Sequence, residues 1–165
     1  MGTAEQKTTT QSDVEIVCMT EHDLLEVVEI EEQSGLSRWG WGAYYAELQG
    51  GNRELMLVAK PLHVHVDERN IAGYIVARET AGELHINNVA VREQYRRRGY
   101  GALLLGRVLD EARRKRATAA FLEVRDGNSA AQALYRKCGF RGIAKRANYY
   151  SDPTEDAIVM TLDLS

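Results

Sequence analysis

Long apolar runs are missing from the sequence, and cysteine is scarce. No apolar stretch approaches the roughly 20 residues that a membrane-spanning helix needs, so no membrane partner is expected. The two cysteines, Cys18 and Cys138, lie far apart and form no CxxC pair. The first residues contain no apolar core of the kind that a secretory signal needs. We therefore expect a reduced, cytoplasmic protein.

An excess of charge of either sign is also missing. The 165 residues include 24 acidic and 21 basic side chains, which gives a formal net charge of −3. Proteins that bind nucleic acid through their overall field are strongly basic, so direct nucleic-acid binding is not expected. The basic run at residues 113–116 could contact RNA. Cations at a helix C-terminus are favoured by the helix dipole, however, and we interpret this run as a solvated helix end.

Two nucleotide-binding motifs are absent from the glycine-rich segment RRRGYG, residues 96–101. A dinucleotide fingerprint needs a third glycine where Leu104 stands, and the GxxxxGK[ST] phosphate loop does not occur. The segment does lie between a predicted strand ending at Val91 and a predicted helix. N–H groups at a helix start lack partners, and glycines let an anion approach them, so Gly99 and Gly101 are candidates for binding an anion. The alternative is a glycine-rich helix start beside solvated arginines.

A metal site is not predicted. His63 and His65 form an H-x-H pair that could share one face of a strand, but no third ligand stands at a recognisable spacing. We interpret the pair as the surface of a hairpin, and no metal cofactor is expected.

Apolar periodicity predicts one mixed α/β domain over residues 14–165, after a polar and disordered tail at residues 1–13. Strands are predicted at residues 14–19, 54–60, 71–78, 84–91, 119–124, 140–148 and 157–164. Helices are predicted after a capping Thr20 and at residues 43–48, 99–115 and 128–137, the last ended by Gly139.

A second segment, LEVRDGNSAAQALYRKCGF at residues 122–140, carries three polar groups at suggestive positions. Glu123 ends a predicted strand, Asn128 opens the next helix, and Tyr135 lies two turns into that helix. Together with the RxxGxG pattern of residues 96–101, this segment resembles the GNAT superfamily of acyl-CoA N-acyltransferases. The final stretch, RANYYSDPTEDAIVMTLDL, is similar to the bacterial ribosomal-protein alanine acetyltransferases of RimI type, with the N-terminal peptide acetyltransferases next nearest.

The resemblance implies a single GNAT-like domain with a mixed, mostly antiparallel and splayed central sheet that is flanked by helices. It implies acetyl-CoA as co-substrate, with the pantetheine arm paired to one strand and held by Asn128, and the diphosphate wrapped by the glycine-rich turn. The residues implied in cofactor binding are Val89, Ala90, Val91, Arg97, Arg98, Gly99, Tyr100, Gly101, Ala102 and Asn128.

Acetyl transfer from a thioester to an amine requires a neutral amine and a proton for the departing thiolate. The resemblance assigns the base to Glu123 and the acid to Tyr135. Taken singly, Glu123 is more readily a strand-end carboxylate bonded to Arg125, and Tyr135 a core aromatic. Their joint placement favours the catalytic interpretation.

Aromatic residues are predicted to line the acceptor groove, with core packing as the competing account. They are Trp39, Trp41, Tyr149 and Tyr150. The segment SRWGWG departs from the Pro-Trp-Ser that is commoner in the family, and the connection PLHVHVDERN is longer than usual, which leaves the identity of the acceptor open.

The leading hypothesis is an N-acetyltransferase for the N-terminal α-amine of a protein, with a ribosomal protein that starts with alanine as the acceptor. One alternative is a GNAT enzyme that acetylates a small-molecule amine or a lysine. The other is a non-catalytic module that binds acyl-CoA, which the presence of both Glu123 and Tyr135 disfavours.

Overall fold

The computed structural model describes residues 13–36, 38–64 and 69–165. Its strands are Val14–Cys18 (β1), Met56–Pro61 (β2), Gly73–Thr80 (β3), Glu83–Val91 (β4), Ala119–Arg125 (β5), Arg141–Ser151 (β6) and Thr154–Asp163 (β7). Its α-helices are Leu24–Gln33 (α1), Gly40–Gln49 (α2), Tyr100–Arg114 (α3) and Ser129–Lys137 (α4). Each predicted strand and helix is present with shifted ends. Of the predicted tail, only Asp13 lies within the described residues.

The seven strands form one sheet in the order β1-β2-β3-β4-β5-β7-β6. Only the central β4–β5 pair is parallel, and every other neighbouring pair is antiparallel. Helices cover the sheet on both faces, which confirms the predicted mixed α/β class. In the described ranges, no helix is both long enough and apolar enough to span a membrane.

Apolar spacing explains how the helices pack. The buried stripe of α3 recurs at helical spacing and contacts one face of the sheet, where it forms the larger core. This stripe consists of Leu104, Leu105, Val108, Leu109 and Ala112. A second core on the opposite face includes Leu24, Val27 and Ile30 of α1 with Tyr44 and Leu48 of α2.

The signals at the ends of α4 act as predicted, whereas the predicted cap Thr20 lies one turn before α1, whose N-cap is Asp23. Thr20 precedes a short 3-10 turn that leads into α1, and its backbone N–H donates to Asp23 Oδ2 at 2.9 Å. Asn128 caps α4 by accepting the N–H of Ala131 at 3.1 Å. Gly139 follows α4 with φ of +100°, a conformation that favours glycine and ends the helix.

The centre of the sheet contains both a bulge and an opening. Val76 of β3 pairs with Asn88 and Ala77 pairs with Ile86, so Asn87 is an extra residue on β4. The parallel register of β4 with β5 ends at Ile86 opposite Leu122. Beyond that pair the two strands no longer pair with each other, and the sheet is splayed there.

Candidate active site at the opening between β4 and β5

A cleft of about 210 Å³ lies where β4 and β5 separate. Its walls come from the connection between α1 and α2, the middle of β4, the end of β5, one side of α4 with its cap, and the end of β6. Ligands commonly bind where neighbouring strands of a sheet diverge, because backbone groups and strand-end side chains meet there. The predicted residues that line this cleft are Trp39, Val89, Glu123, Asn128, Tyr135, Tyr149 and Tyr150.

Glu123 is held by a histidine from the neighbouring strand. Its Oε2 lies 2.6 Å from Nε2 of His85, and Asn87 Nδ2 lies 3.2 Å from Nδ1 of the same ring. An amide nitrogen only donates, so Nδ1 accepts and Nε2 carries the hydrogen that is donated to Glu123. This hydrogen bond lowers the pKa of Glu123, against the opposing effect of burial. The carboxylate is therefore ionised at neutral pH and able to accept a proton.

Tyr135 lines the same cleft from α4 and is 7% exposed. Burial raises the pKa of its phenol well above the ordinary value, because the charged form loses solvation. Its ring meets that of Phe140 edge-on, with centroids 6.2 Å apart. Tyr135 thus presents a neutral hydroxyl, which is the state needed to donate a hydrogen bond or a proton.

The end of β6 forms an aromatic side of the cleft. The rings of Tyr149 and Tyr150 meet edge-on at 5.0 Å, and the guanidinium of Arg125 lies 4.3 Å from the centre of the Tyr150 ring. Burial raises the pKa of Tyr150 to about 12, so its hydroxyl is also neutral. Arg125 donates to Glu155 Oε1 at 3.2 Å, which ties the β6–β7 hairpin to the end of β5.

The two tryptophans predicted for the acceptor groove lie in different places. Trp39 precedes α2 and lines the cleft. Trp41 does not line it: this side chain is 43% exposed and stacks on Tyr45 with ring centroids 4.9 Å apart. The reason is that α2 begins at Gly40, so the two residues point to different sides of the helix start.

The glycine-rich turn lies between β4 and α3, where Gly99 caps the helix with φ of +83°. The arginines before it differ in their contacts. Arg96 Nε donates to the carbonyl of Val91 at 3.0 Å, and Arg98 lies 5.3 Å from the centre of the Tyr95 ring. Arg97 is exposed and has φ of +64°.

Gly101 has a packing role that the sequence did not indicate. A side chain there would approach Leu134 Cδ2 at 3.1 Å and Val91 Cγ2 at 3.9 Å. Close packing of α3 on α4 is therefore a reason for glycine at Gly101 that is independent of the predicted room for an anion. Any anion contact would use its backbone N–H.

Of the two histidines considered for a metal, His63 is exposed after β2 and His65 lies outside the described residues. Within the parts of the chain that are described, no three His, Cys, Asp or Glu side chains are grouped as metal ligands would be.

The comparison with protein families matches residues 24–140 to the acetyltransferase (GNAT) family. The chain belongs to this family. It is 33% identical over 141 residues to the ribosomal protein bS18-alanine N-acetyltransferase of Haemophilus influenzae, covering 84% of this chain and 90% of that protein. Among solved structures, the ribosomal-protein-S18-alanine N-acetyltransferase from Escherichia coli matches with a TM-score of 0.77 and 30% identity, covering 92% of this chain and 94% of that one. Ard1 from Thermoplasma volcanium matches with a TM-score of 0.81 and 26% identity, covering 92% and 97%.

As a member of the GNAT family, the chain is an N-acetyltransferase of a family that uses acetyl-CoA. Its cleft contains four polar residues that were not predicted from the sequence: Ser34, His85, Asn87 and Asn88. The register between β4 and β5 is what indicates that His85 lies near Glu123. The two strands pair in parallel and place His85 opposite Phe121, two residues before Glu123. That register is a property of the folded sheet and is not readable from either strand alone.

Proposed function

We propose that the protein transfers an acetyl group from acetyl-CoA to the N-terminal α-amine of a protein, with a ribosomal protein that starts with alanine as the acceptor. The observation that carries this proposal is the meeting of an ionised Glu123 and a neutral Tyr135 in one cleft at the opening of the sheet. The relatives from H. influenzae and E. coli are named for the alanine of ribosomal protein bS18 or S18, which supports this acceptor.

Acetyl-CoA is proposed to bind along the second half of β4. The backbone of Val89, Ala90 and Val91 lies past the last pair with β5, so one edge of β4 is available to pair with the pantetheine amides. The Asn128 side-chain oxygen already caps α4, which leaves its amide nitrogen to donate to pantetheine.

The diphosphate is proposed to bind at the start of α3. N–H groups of Gly99, Tyr100, Gly101 and Ala102 lie at that helix start, where the dipole favours an anion. Arg97 and Arg98 are exposed beside it and can add charge-assisted hydrogen bonds.

In the proposed reaction, the acceptor amine attacks the thioester carbonyl while Glu123 accepts a proton from the amine, directly or through water. The C–N bond forms, the C–S bond breaks, and the thiolate of CoA leaves. An α-amine has a reference pKa of about 7.7 to 8.0, so a carboxylate base suffices near neutral pH.

Tyr135 stabilises the departing sulfur by donating its hydroxyl hydrogen. The raised pKa of Tyr135 makes complete proton transfer unfavourable to a thiolate whose conjugate acid has a pKa of about 8.5. We infer that Tyr135 first stabilises the developing charge by a hydrogen bond and then transfers its proton to the sulfur as the thiol leaves the site, and that the tyrosinate is reprotonated from solvent.

The test is a peptide that carries both an N-terminal alanine and an internal lysine, incubated with acetyl-CoA and analysed by fragmentation. We expect acetyl on the α-amine, because a lysine ammonium has a reference pKa of about 10.4 and is harder to deprotonate. The control is the same peptide with a blocked N-terminus. Acetyl found mainly on lysine, or on neither amine while polyamines are acetylated, would favour the lysine or small-molecule alternative.

A further inference from the structure

Two buried polar side-chain atoms have no hydrogen-bond partner in the described part of the chain. They are Ser34 Oγ and Asn87 Oδ1, and both residues line the proposed active-site cleft. Buried polar atoms are almost always hydrogen-bonded, because an unpaired one has lost its water without compensation. The coincidence of both atoms with one cleft points to a polar ligand that contacts them.

The chemistry of Asn87 defines half of that ligand. Asn87 is the extra residue of the β4 bulge, and its amide nitrogen already contacts His85 Nδ1 at 3.2 Å. Only its amide oxygen remains, and that atom can only accept a hydrogen bond. The ligand therefore needs an N–H or O–H donor. His85 in turn contacts Glu123, so this donor lies beside the proposed base.

Ser34 defines the other half from a different wall. It caps the C-terminus of α1, where its backbone N–H donates to the carbonyls of Ile30 at 3.0 Å and Glu31 at 3.3 Å. These bonds use only the backbone of Ser34, so its buried hydroxyl is left without a partner in a residue that lines the cleft. A hydroxyl can donate to a carbonyl oxygen. The ligand that satisfies both residues thus offers one donor and one acceptor, as a peptide group does.

We propose that Ser34 and Asn87 bind the first peptide group of the acceptor, with Asn87 Oδ1 accepting its N–H and Ser34 Oγ donating to its carbonyl oxygen. This inference rests on the proposed function and goes beyond it by identifying which group next to the amine is recognised. A lysine side chain carries only methylenes beside its amine and would leave both buried atoms unpaired. Sites that are built to bond a polar group reject analogues that lack it.

The experiment compares kcat/KM for two peptides that start with alanine. One is the ordinary peptide, and the other is the ester analogue in which oxygen replaces the first peptide N–H. We expect the wild-type protein to prefer the amide by about tenfold, and Asn87→Ala to lose this preference. The ratio within one variant removes any general loss of rate that follows from the missing contact to His85.

Ser34→Ala tests the other proposed contact, the one to the carbonyl oxygen of the first peptide group. We expect it to lower kcat/KM about tenfold for both peptides and to keep the amide-to-ester ratio of the wild-type protein, because the ester retains the carbonyl. Asn70→Ala and Ser165→Ala are the matched controls, since Asn70 is exposed beyond β2 and Ser165 contacts Asp163 at the C-terminus. Calorimetric CoA affinity should be the same in all four variants.

The experiment distinguishes a failure of this inference from a failure of the proposed function. If the wild-type protein acetylates α-amines but uses the amide and the ester equally well, the inference is overturned and the proposed function stands. The same conclusion follows if Asn87→Ala keeps the wild-type ratio. If the wild-type protein acetylates no peptide α-amine and modifies lysine or a small amine instead, the proposed function and the inference fail together.

Discussion

The roles proposed for Glu123 and Tyr135 require opposite protonation states, and the surroundings of each residue favour the state required. The hydrogen bond from His85 lowers the pKa of Glu123, while burial raises the pKa of Tyr135. Glu123 therefore carries its charge and Tyr135 keeps its proton across the neutral range. Two titratable groups whose pKa values are driven apart in one cleft are a typical arrangement for paired acid and base roles.

Tyr135→Phe should lower turnover by about 10²-fold or more, because the ring and its packing remain while the hydroxyl that is proposed to act on the leaving sulfur is lost. Steady-state kinetics with acetyl-CoA measures the change, and calorimetry should show nearly unchanged CoA affinity. Tyr45→Phe is the control, since Tyr45 stacks on Trp41 away from the cleft. Turnover at the wild-type rate in Tyr135→Phe would assign the acid to water or to another group.

His85→Phe should raise the pKa of Glu123, because it removes the largest cause that lowers this pKa and leaves burial to act in the opposite direction. A base must be ionised, so activity falls as pH drops through its pKa, and the acidic limb of the rate profile should move to higher pH in the variant. The carboxyl ¹³C shift of Glu123 measures the same change directly. His63→Phe, at an exposed position, is the control and should change neither the rate profile nor the pKa of Glu123. An unchanged pKa of Glu123 in His85→Phe would contradict the hydrogen bond between His85 and Glu123.

At the scale of elements, α3 contains glycines that differ in what their neighbours allow. Gly99 needs its positive φ, and Gly101 lies against Leu134, whereas a Cβ at Gly106 would meet nothing within 4 Å. Glycine is thus required for its backbone conformation at Gly99 and for close packing at Gly101, whereas at Gly106 neither reason applies. A sequence pattern that counts glycines does not separate these three cases.

Substitutions along α3 should therefore change stability in opposite directions. Gly106→Ala should stabilise the protein by about 1 kcal/mol, because alanine is the better helix former and the site is open. Gly101→Val should destabilise it by about 1–3 kcal/mol through overpacking against Leu134. Urea unfolding measures both values. A neutral or stabilising Gly101→Val would mean that α4 moves away easily and that packing does not require glycine there.

At the scale of the whole molecule, a buried arginine joins the helical layer to the sheet. Arg92 follows β4, and only 2% of its side chain is exposed. Its guanidinium bonds Glu26 at 3.1 Å and Glu29 at 2.5 Å on α1, and its Nε donates to the carbonyl of Ile71 at 2.8 Å. One charged group thus connects α1, the end of the β2–β3 connection and the strand that lines the cleft.

Arg92→Leu should destabilise the protein by about 3 kcal/mol, because it removes the buried partner that Glu26 and Glu29 share and leaves Glu26 with the N–H of Ile71 and Glu29 with the exposed Arg69. Arg113→Leu is the control: Arg113 is exposed and contacts Asp110 at 3.5 Å, so its loss should change stability by no more than about 0.5 kcal/mol. Denaturant midpoints at constant slope give the comparison. Equal effects of the two substitutions would contradict the role of Arg92 in holding the layers together.

Features that depend on local pattern could be predicted from the sequence. The apolar spacing of α3, the Asn128 cap and the Gly139 stop appear in the structure as predicted, because each reflects the preferences of a few neighbouring residues. Glu123, Asn128 and Tyr135, which were predicted to act together, likewise line one cleft.

Which distant residues share that cleft depends on the folded arrangement of the strands and helices. His85 and Glu123 are 38 positions apart and meet because β4 and β5 pair in parallel, and Asn87 faces the cleft beside a strand bulge. Trp39 enters the cleft and Trp41 does not, because α2 begins between them. Strand periodicity predicts which residues alternate, but strand register, bulges and helix packing result from contacts between segments far apart in sequence.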